Sequence, residues 1–374
     1  MKKIGILIDF AGGYGRDVLR GIMRFAQLLP DWEFVMPPMY ALRQKRMINP
    51  RHVDGVIAMV HDRRTSTPFQ RAQVPIVNTA RTLGLARLRA VRLHSVVPDD
   101  EAVGHMAYQY FRERGFTQFG FCGHPTGDWS LARRRAFVAG AQGDGLKCHC
   151  VEHADEVPID WIAKLPRPTA LLAANDRYAW HAIDACRAVG VRVPEDIAIL
   201  GVDNDELIVE MVRPTLSSIE MGGFRIGMEA ARVLAELMAV RPVSLDPHLV
   251  APESVVSRGS TDVFAIEDEV VVEAIRFIRQ NAAKPIRIQD ILDTVAVSRR
   301  NLERRFRKAL NRSLLEEMRQ THLDRARRLL RTTNLEMPAV ARQSGFPSHV
   351  RFSTVFHEAL GLSPTAFRRL HRSQ

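Results

Sequence analysis

The sequence predicts an α/β domain built on parallel sheets, followed by an all-α domain with two helix-turn-helix units. Short apolar runs alternate with helical patterns through the first 260 residues, and a sixteen-residue pattern recurs fifty positions apart near the far end. The positive charge collects on that same end. Residues 265–374 hold 21 Lys and Arg against 12 Asp and Glu, whereas the first 264 hold 32 and 30 of the chain's 53 and 42. A chain of 374 residues is too long for one core, and 46% hydrophobic content places it among globular rather than disordered proteins. A basic excess confined to one domain suits a polyanionic partner.

In chain order, residues 3–8 read as a strand, then a glycine-containing loop, then a helix over 16–29. Strands follow at 53–58 and 74–77, and a helix over 99–114 leads into a strand at 116–122. A helix over 131–141, a strand at 169–174, a helix over 178–189, a strand at 197–202 and a helix over 222–240 continue the alternation. Repeated βα units with short apolar strands imply parallel sheets covered by helices. The polar stretch 257–267, SRGSTDVFAIE, reads as a short hinge and divides the chain into domains 1–262 and 263–374.

In the second domain, Ile288, Ile291 and Leu292 mark one apolar stripe, and Leu302, Phe306 and Leu310 a second at i, i+4, i+8. Ser298 sits where it caps the second helix, and Arg300, Arg304 and Arg307 face away from Leu302 and Phe306. The pattern SHVRFSTVFHEALGLS at 348–363 repeats SRRNLERRFRKALNRS at 298–313, pairing Leu302 with Phe352 and Phe306 with Phe356. A shared apolar frame under different outward residues predicts two copies of one scaffold reading different bases, joined by a helix over 314–331. The residues expected at DNA are Ser298, Arg299, Arg300, Glu303, Arg304, Arg307 and Lys308 in the first copy. In the second they are Ser348, His349, Val350, Arg351 and Thr354.

This region, about 270–370, resembles the AraC-type regulators. The resemblance rests on Gly345-Phe346, Phe352, Phe356, Gly361, Ser363-Pro364 and Phe367-Arg368. Ala296 departs from it, since that family usually has Gly in the first turn.

In the first domain, chemistry collects in loops beyond the carboxyl ends of strands, where α/β sheets bind ligands. Tyr14, Arg16 and Asp17 follow the first strand, and Trp129 and Arg133 follow the strand at 116–122. Asn175 and Asp176 follow 169–174, and Asp203 and Asn204 follow 197–202. Carboxylates, amides and a guanidinium beside an indole suit a neutral polyol, whose hydroxyls the polar groups bond while the ring covers a C–H face. Any one of Asp176, Asp203 and Trp129 also reads as a helix cap or core residue.

Residues 2–259 resemble the LacI-type and periplasmic sugar-binding proteins. The match is carried by Val53-Asp54-Gly55-Val56-Ile57, Val74-Pro75, Asp99, Arg133, Asn175-Asp176, Gly190 to Ile197, Gly201-Val202-Asp203 and Pro214 to Gly227. The resemblance implies a cleft between two lobes, with Arg133, Asp176 and Asp203 on the effector. Such a sensor ahead of an AraC-like reader is similar to the xylose-operon activators of bacteria. That architecture implies double-stranded operator DNA, a small sugar with D-xylose favoured, RNA polymerase and a second copy of the chain as partners. Another pentose or polyol remains an alternative effector.

A sugar transport receptor is a second reading, but it has no use for a basic helical domain. An enzyme is a third, yet no nucleophile–base pair, metal motif or cofactor fingerprint stands out, and a fold supplies no reaction by itself. Gly12-Gly13-Tyr14-Gly15 lacks both a GxGxxG pattern and a P-loop lysine, so no nucleotide cofactor is expected. Cys148-His149-Cys150 with His153 fits no standard structural zinc spacing, so no metal is expected. The apolar run of MKKIGILIDF breaks at Asp9, which argues for a strand rather than a leader. Four cysteines without a disulfide framework point to the cytoplasm, and no run of apolar residues reaches membrane-span length.

Overall fold

The computed structural model describes every residue except 29–30, 37–47, 61–62, 82–91, 154–155, 264, 267, 311 and 372–374, with backbone alone at 63–64, 331–332 and 370–371. The chain forms two compact units, Met1–Phe111 with Thr117–Val263, and Arg112–Phe116 with Phe264–Gln374. Two residues of the hinge expected at 257–267 lie outside the described residues, as does the end of the helix expected over 16–29.

The first unit runs β1 (Lys2–Leu7), α1 (Gly13–Ala26), β2 (Trp32–Val35), β3 (Gly55–Ala58), α2 (Arg63–Arg71), β4 (Ile76–Asn78), β5 (His94–Pro98) and α3 (Asp100–Arg112). It continues β6 (Gln118–Gly123), α4 (Asp128–Gly143), β7 (Lys147–Glu152), α5 (Ile159–Lys164), β8 (Thr169–Ala173), α6 (Asp176–Ala188), β9 (Ile197–Val202) and α7 (Glu206–Met211). It ends β10 (Ser217–Glu220), α8 (Gly223–Met238), β11 (His248–Val250) and β12 (Ser254–Val256).

The strands make two six-stranded sheets, ordered β11-β5-β4-β3-β1-β2 and β12-β10-β9-β8-β6-β7. All pairings are parallel except β12 against β10. Each sheet is one lobe, and the chain passes between lobes after β5, β10 and β11. Strand periodicity explains the burial: Ile4, Ile6 and Ile8 join Val18, Ile22, Ile226 and Leu234 on one face of the first sheet, while Leu7 turns to Val56 and Phe69 on the other. Helices α1 and α8 lie so close that a Cβ on Gly21 would stand 2.1 Å from the Phe224 carbonyl oxygen, and one on Gly227 2.0 Å from that of Val18. Only glycine permits that backbone contact.

The second unit is helical: α9 (Glu269–Gln280), α10 (Ile288–Val295), α11 (Arg299–Leu310), α12 (Leu314–Thr332), α13 (Met337–Gln343), α14 (His349–Leu360) and α15 (Pro364–His371). It has two cores. Ile275, Ile291, Leu302, Phe306 and Leu314 build one; Leu323, Leu330, Phe346, Phe352, Phe356 and Phe367 build the other. The long α12 contributes its first turns to one and its later turns to the next. The sequence repeat is thus a structural repeat, with α11 and α14 offset by fifty residues and Ser298 and Ser348 hydrogen-bonded to the backbone N–H three residues on.

The turns differ in chemistry. Ala296 ends α10 in the left-handed region at φ 52°; in the second copy the left-handed turn residue is Gly345 at φ 77°, one place earlier in the fifty-residue register. An L side chain there costs about 1 kcal/mol. Ala296→Gly is therefore expected to stabilise the helical unit by about 0.5–1 kcal/mol. Gly345→Ala should destabilise it by more, because the new Cβ would meet His322 Nε2 at 2.5 Å. Calorimetric unfolding of both variants checks the opposite signs.

Candidate functional site

The cleft of the first unit is assembled from strand ends and helix starts of both lobes. Arg133, on the second turn of α4, donates from Nε to Asp100 Oδ1 at 2.8 Å and from Nη1 to the Ala174 carbonyl, and its guanidinium lies 5.1 Å over the Trp129 ring. Asp100 begins α3 at the crossing between lobes and is fully buried, while Asp99 before it caps the helix. Arg81, just beyond β4, is also buried. Its Nη2 donates to Glu101, and its Nε stands 4.0 Å from Asp100 Oδ2. Arg81 Nε and Nη1 and Asp100 Oδ2 are buried with no hydrogen-bond partner in the protein. Tyr14, in the first turn of α1, donates its hydroxyl to the Thr79 carbonyl; burial and the fields of Asp100 and Asp203 push its pKa up.

Asp203 follows β9 in left-handed geometry at φ 107°. Part of its surface is open, yet the surrounding protein desolvates it and raises its carboxyl to about 7, with Arg133 opposing and Asp100, Asp205 and Asp17 adding to the rise. Asp100 and Asp176 are raised by burial as well. A carboxyl that keeps its proton in the fold favours the folded state at low pH; that advantage fades as pH rises from about 4 to about 7. Relative to the wild type, Asp203→Asn should therefore gain stability across that range, by about 1–2 kcal/mol at pH 8. Thermal unfolding from pH 5 to 8 checks it; parallel curves would remove the effect.

The structure brings Tyr14, Trp129, Arg133 and Asp203 together and adds Arg81 and Asp100, which sequence reasoning missed. Their signals were present: Arg81 lies three residues beyond an apolar strand, and the doubled aspartate at 99–100 has one member to spare after capping. Other expected residues engage protein partners. Asp176 accepts from the Ser218 hydroxyl at 2.6 Å and the Asp205 N–H at 2.7 Å; Asn175 caps α6 by accepting from the Tyr178 N–H. Asn204 accepts from Arg258, and Asp17 from Arg20. Arg16 pairs with Asp205 at 2.5 Å, and Asp205 also accepts from the Gly13 N–H at 2.8 Å, tying the start of α1 to the opposite lobe.

On the helical unit, Arg300, Arg304, Arg307 and Lys308 project from α11 into solvent; among the described residues Arg300, Arg304 and Lys308 have no carboxylate partner, while Arg307 acts on the Glu316 carboxylate. Arg299 pairs with Glu303 at 2.9 Å instead. On α14, Ser348, His349, Val350, Arg351 and Thr354 are exposed, Val350 by 75%. An apolar side chain that open beside the N-terminus of such a helix suits contact with a base.

Among the described residues, no group of three or more His, Cys, Asp or Glu side chains gathers as a metal site, and no helix is long and apolar enough to cross a membrane.

A two-lobed sensor with a polar interlobe cleft, joined to paired helix-turn-helix units, defines a ligand-responsive DNA-binding transcription regulator. Residues 108–261 match the periplasmic binding protein-like domain family and residues 291–370 a helix-turn-helix domain family. The chain is 30% identical to the xylose operon regulatory protein of Haemophilus influenzae, over 98% of each chain. It is also 30% identical to that of Escherichia coli K12, over 98% of this chain and 96% of the other. A solved structure described as a xylose-binding transcription activator superposes with a TM-score of 0.63 at 27% identity, covering 100% of this chain and 99% of that one. The chain belongs to the family of xylose operon regulatory proteins.

Proposed function

We propose that the protein is a cytoplasmic, D-xylose-responsive activator of xylose catabolic genes, with no catalytic activity of its own. Residues 1–262 sense the sugar and 263–374 read the operator. The observation that carries the sugar reading is the buried pair Arg81 and Asp100, whose unsatisfied Nε donor and Oδ2 acceptor stand 4.0 Å apart. That gap is too long for a direct hydrogen bond, and a hydroxyl accepting from the guanidinium and donating to the carboxylate satisfies both. Such a group is both donor and acceptor, which a polyol presents in numbers. Asp17, Asp100, Asp176, Asp203 and Asp205 outnumber Arg16, Arg20, Arg81 and Arg133 around the cleft, so a neutral sugar fits better than a sugar acid. The names of the relatives favour xylose among neutral sugars.

Two copies of the chain would place four recognition helices on the operator, next to RNA polymerase. Sugar acts by binding one arrangement of the lobes more tightly than another, since equal affinities shift nothing. Calorimetry of the purified protein against aldopentoses and aldohexoses tests the sensor, with one saturable site expected for D-xylose; no heat from any neutral sugar overturns it. Sedimentation with operator DNA, with and without sugar, tests the dimer.

A further inference from the structure

The sulfurs of Cys148 and Cys150 lie outside the cleft and the DNA face. Both residues are on β7, the edge strand paired only with β6, and their spacing of two puts both side chains on one face. Their Sγ atoms are 3.9 Å apart, with Cys150 exposed and Cys148 partly so. On the neighbouring helix, Arg134 pairs with Glu152 at 2.6 Å, and the two act on the Cys150 thiol in opposite directions. The hydrogen bond between the two thiols, together with Arg134, lowers the Cys150 thiol below its ordinary range, and the same hydrogen bond with burial pushes the Cys148 thiol up. The other two cysteines are different: Cys122 and Cys186 are buried, and burial pushes both thiols up, that of Cys186 to about 12.

We propose that Cys148 and Cys150 form a two-thiolate binding site for a soft, thiophilic d10 metal ion such as monovalent copper or divalent cadmium. Thiolate sulfurs select this class over hard cations. Two sulfurs about 2.3 Å from an ion and 3.9 Å from each other subtend roughly 115° at it, between the tetrahedral and trigonal angles. The side chains therefore hold a chelating separation while β7 keeps its register with β6. A disulfide, by contrast, would require the sulfurs to close to about 2.05 Å, against an extended strand that spaces the two Cα atoms near the upper limit for a bridge. No third protein ligand gathers there among the described residues, so water or a small thiol completes the coordination. Binding a divalent ion releases the protons still held by the pair, and affinity rises with pH.

The test titrates cadmium ion, and separately monovalent copper, into the reduced full-length protein against a competing chelator, following the ultraviolet sulfur-to-metal charge-transfer band. One ion per chain is expected in the wild type and in Cys122→Ser. Cys148→Ser and Cys150→Ser should each weaken binding at least a hundredfold, with the sugar titration unchanged as proof of fold. Two outcomes overturn the proposal: single variants that keep half the stoichiometry, which means independent thiols, or a wild type that binds no better than the double variant.

Discussion

Arg133→Ala is expected to abolish sugar binding and to destabilise the sensor by about 3–5 kcal/mol, while the affinity of the helical unit for DNA stays the same. The double effect follows from what the side chain touches. Its guanidinium is the closest cation to Asp100, a fully buried carboxylate, and it also bonds the Ala174 carbonyl and lies over Trp129. Removing it leaves Asp100 buried with only Arg81, 4.0 Å away, to oppose its charge. Arg81→Met and Asp203→Ala separate binding from folding. Neither removes the main counter-ion of a buried charge, yet each deletes a polar group from the cleft. A charge-assisted hydrogen bond to a buried hydroxyl is worth about 1.5–3 kcal/mol, so each variant should lose more than tenfold in affinity. Calorimetry with the best wild-type sugar, alongside thermal unfolding, reads both quantities. Normal titrations in Arg81→Met and Asp203→Ala would move the site elsewhere.

Arg304→Ala is expected to cost about 1–3 kcal/mol in operator binding and to relax base preference in one element of the half-site only. At matched positions α11 presents Arg300 and Arg304, whereas α14 presents Val350 and Thr354. Arginine forks match the O6 and N7 acceptors of guanine in the major groove, and the methyls of Val and Thr match that of thymine. The half-site should therefore hold a guanine-bearing element and, about one helical turn away, an A·T-rich one. Arg304 is exposed and without a carboxylate partner, so no internal ion pair has to break first. Arg307 and Lys308, further along α11, are assigned to phosphates; losing either should weaken all sequences alike and flatten the salt dependence. Binding-site selection with the wild type and Arg304→Ala decides it. An identical motif from both would leave Arg304 as a phosphate contact.

The helical unit was largely legible in the sequence because its information is local. Leu302 and Phe306, and Phe352 and Phe356, are four apart, and helical spacing alone puts each pair on one face. Even the departure at Ala296 was visible as a missing glycine, and the left-handed backbone found there is the reason glycine suits that turn. The alternation of strands and helices in the sensor was legible for the same reason, since period two and period 3.6 are properties of neighbouring residues.

The identities of the polar groups that meet were not legible. Asp176, Asp203 and Asp205 look alike in sequence, each following a strand or opening a helix. Tertiary contacts alone make Asp176 an acceptor for Ser218, 42 residues away, and Asp205 the anchor for Gly13, 192 residues away. Arg81 and Asp100 become a pair because β4 and the start of α3 end beside each other where the chain changes lobes. By itself the sequence determined β1, β3, β4, β6, β8 and β9 with the helices beside them, where the two readers lie and which loops carry polar groups; β2, β5, β7, β10, β11 and β12 and the short α2, α5 and α7 were not legible in it. Only the tertiary structure decided which of those groups keep unsatisfied hydrogen-bonding capacity. That depends on distances between residues far apart in the chain, set by packing of two lobes rather than by any local pattern.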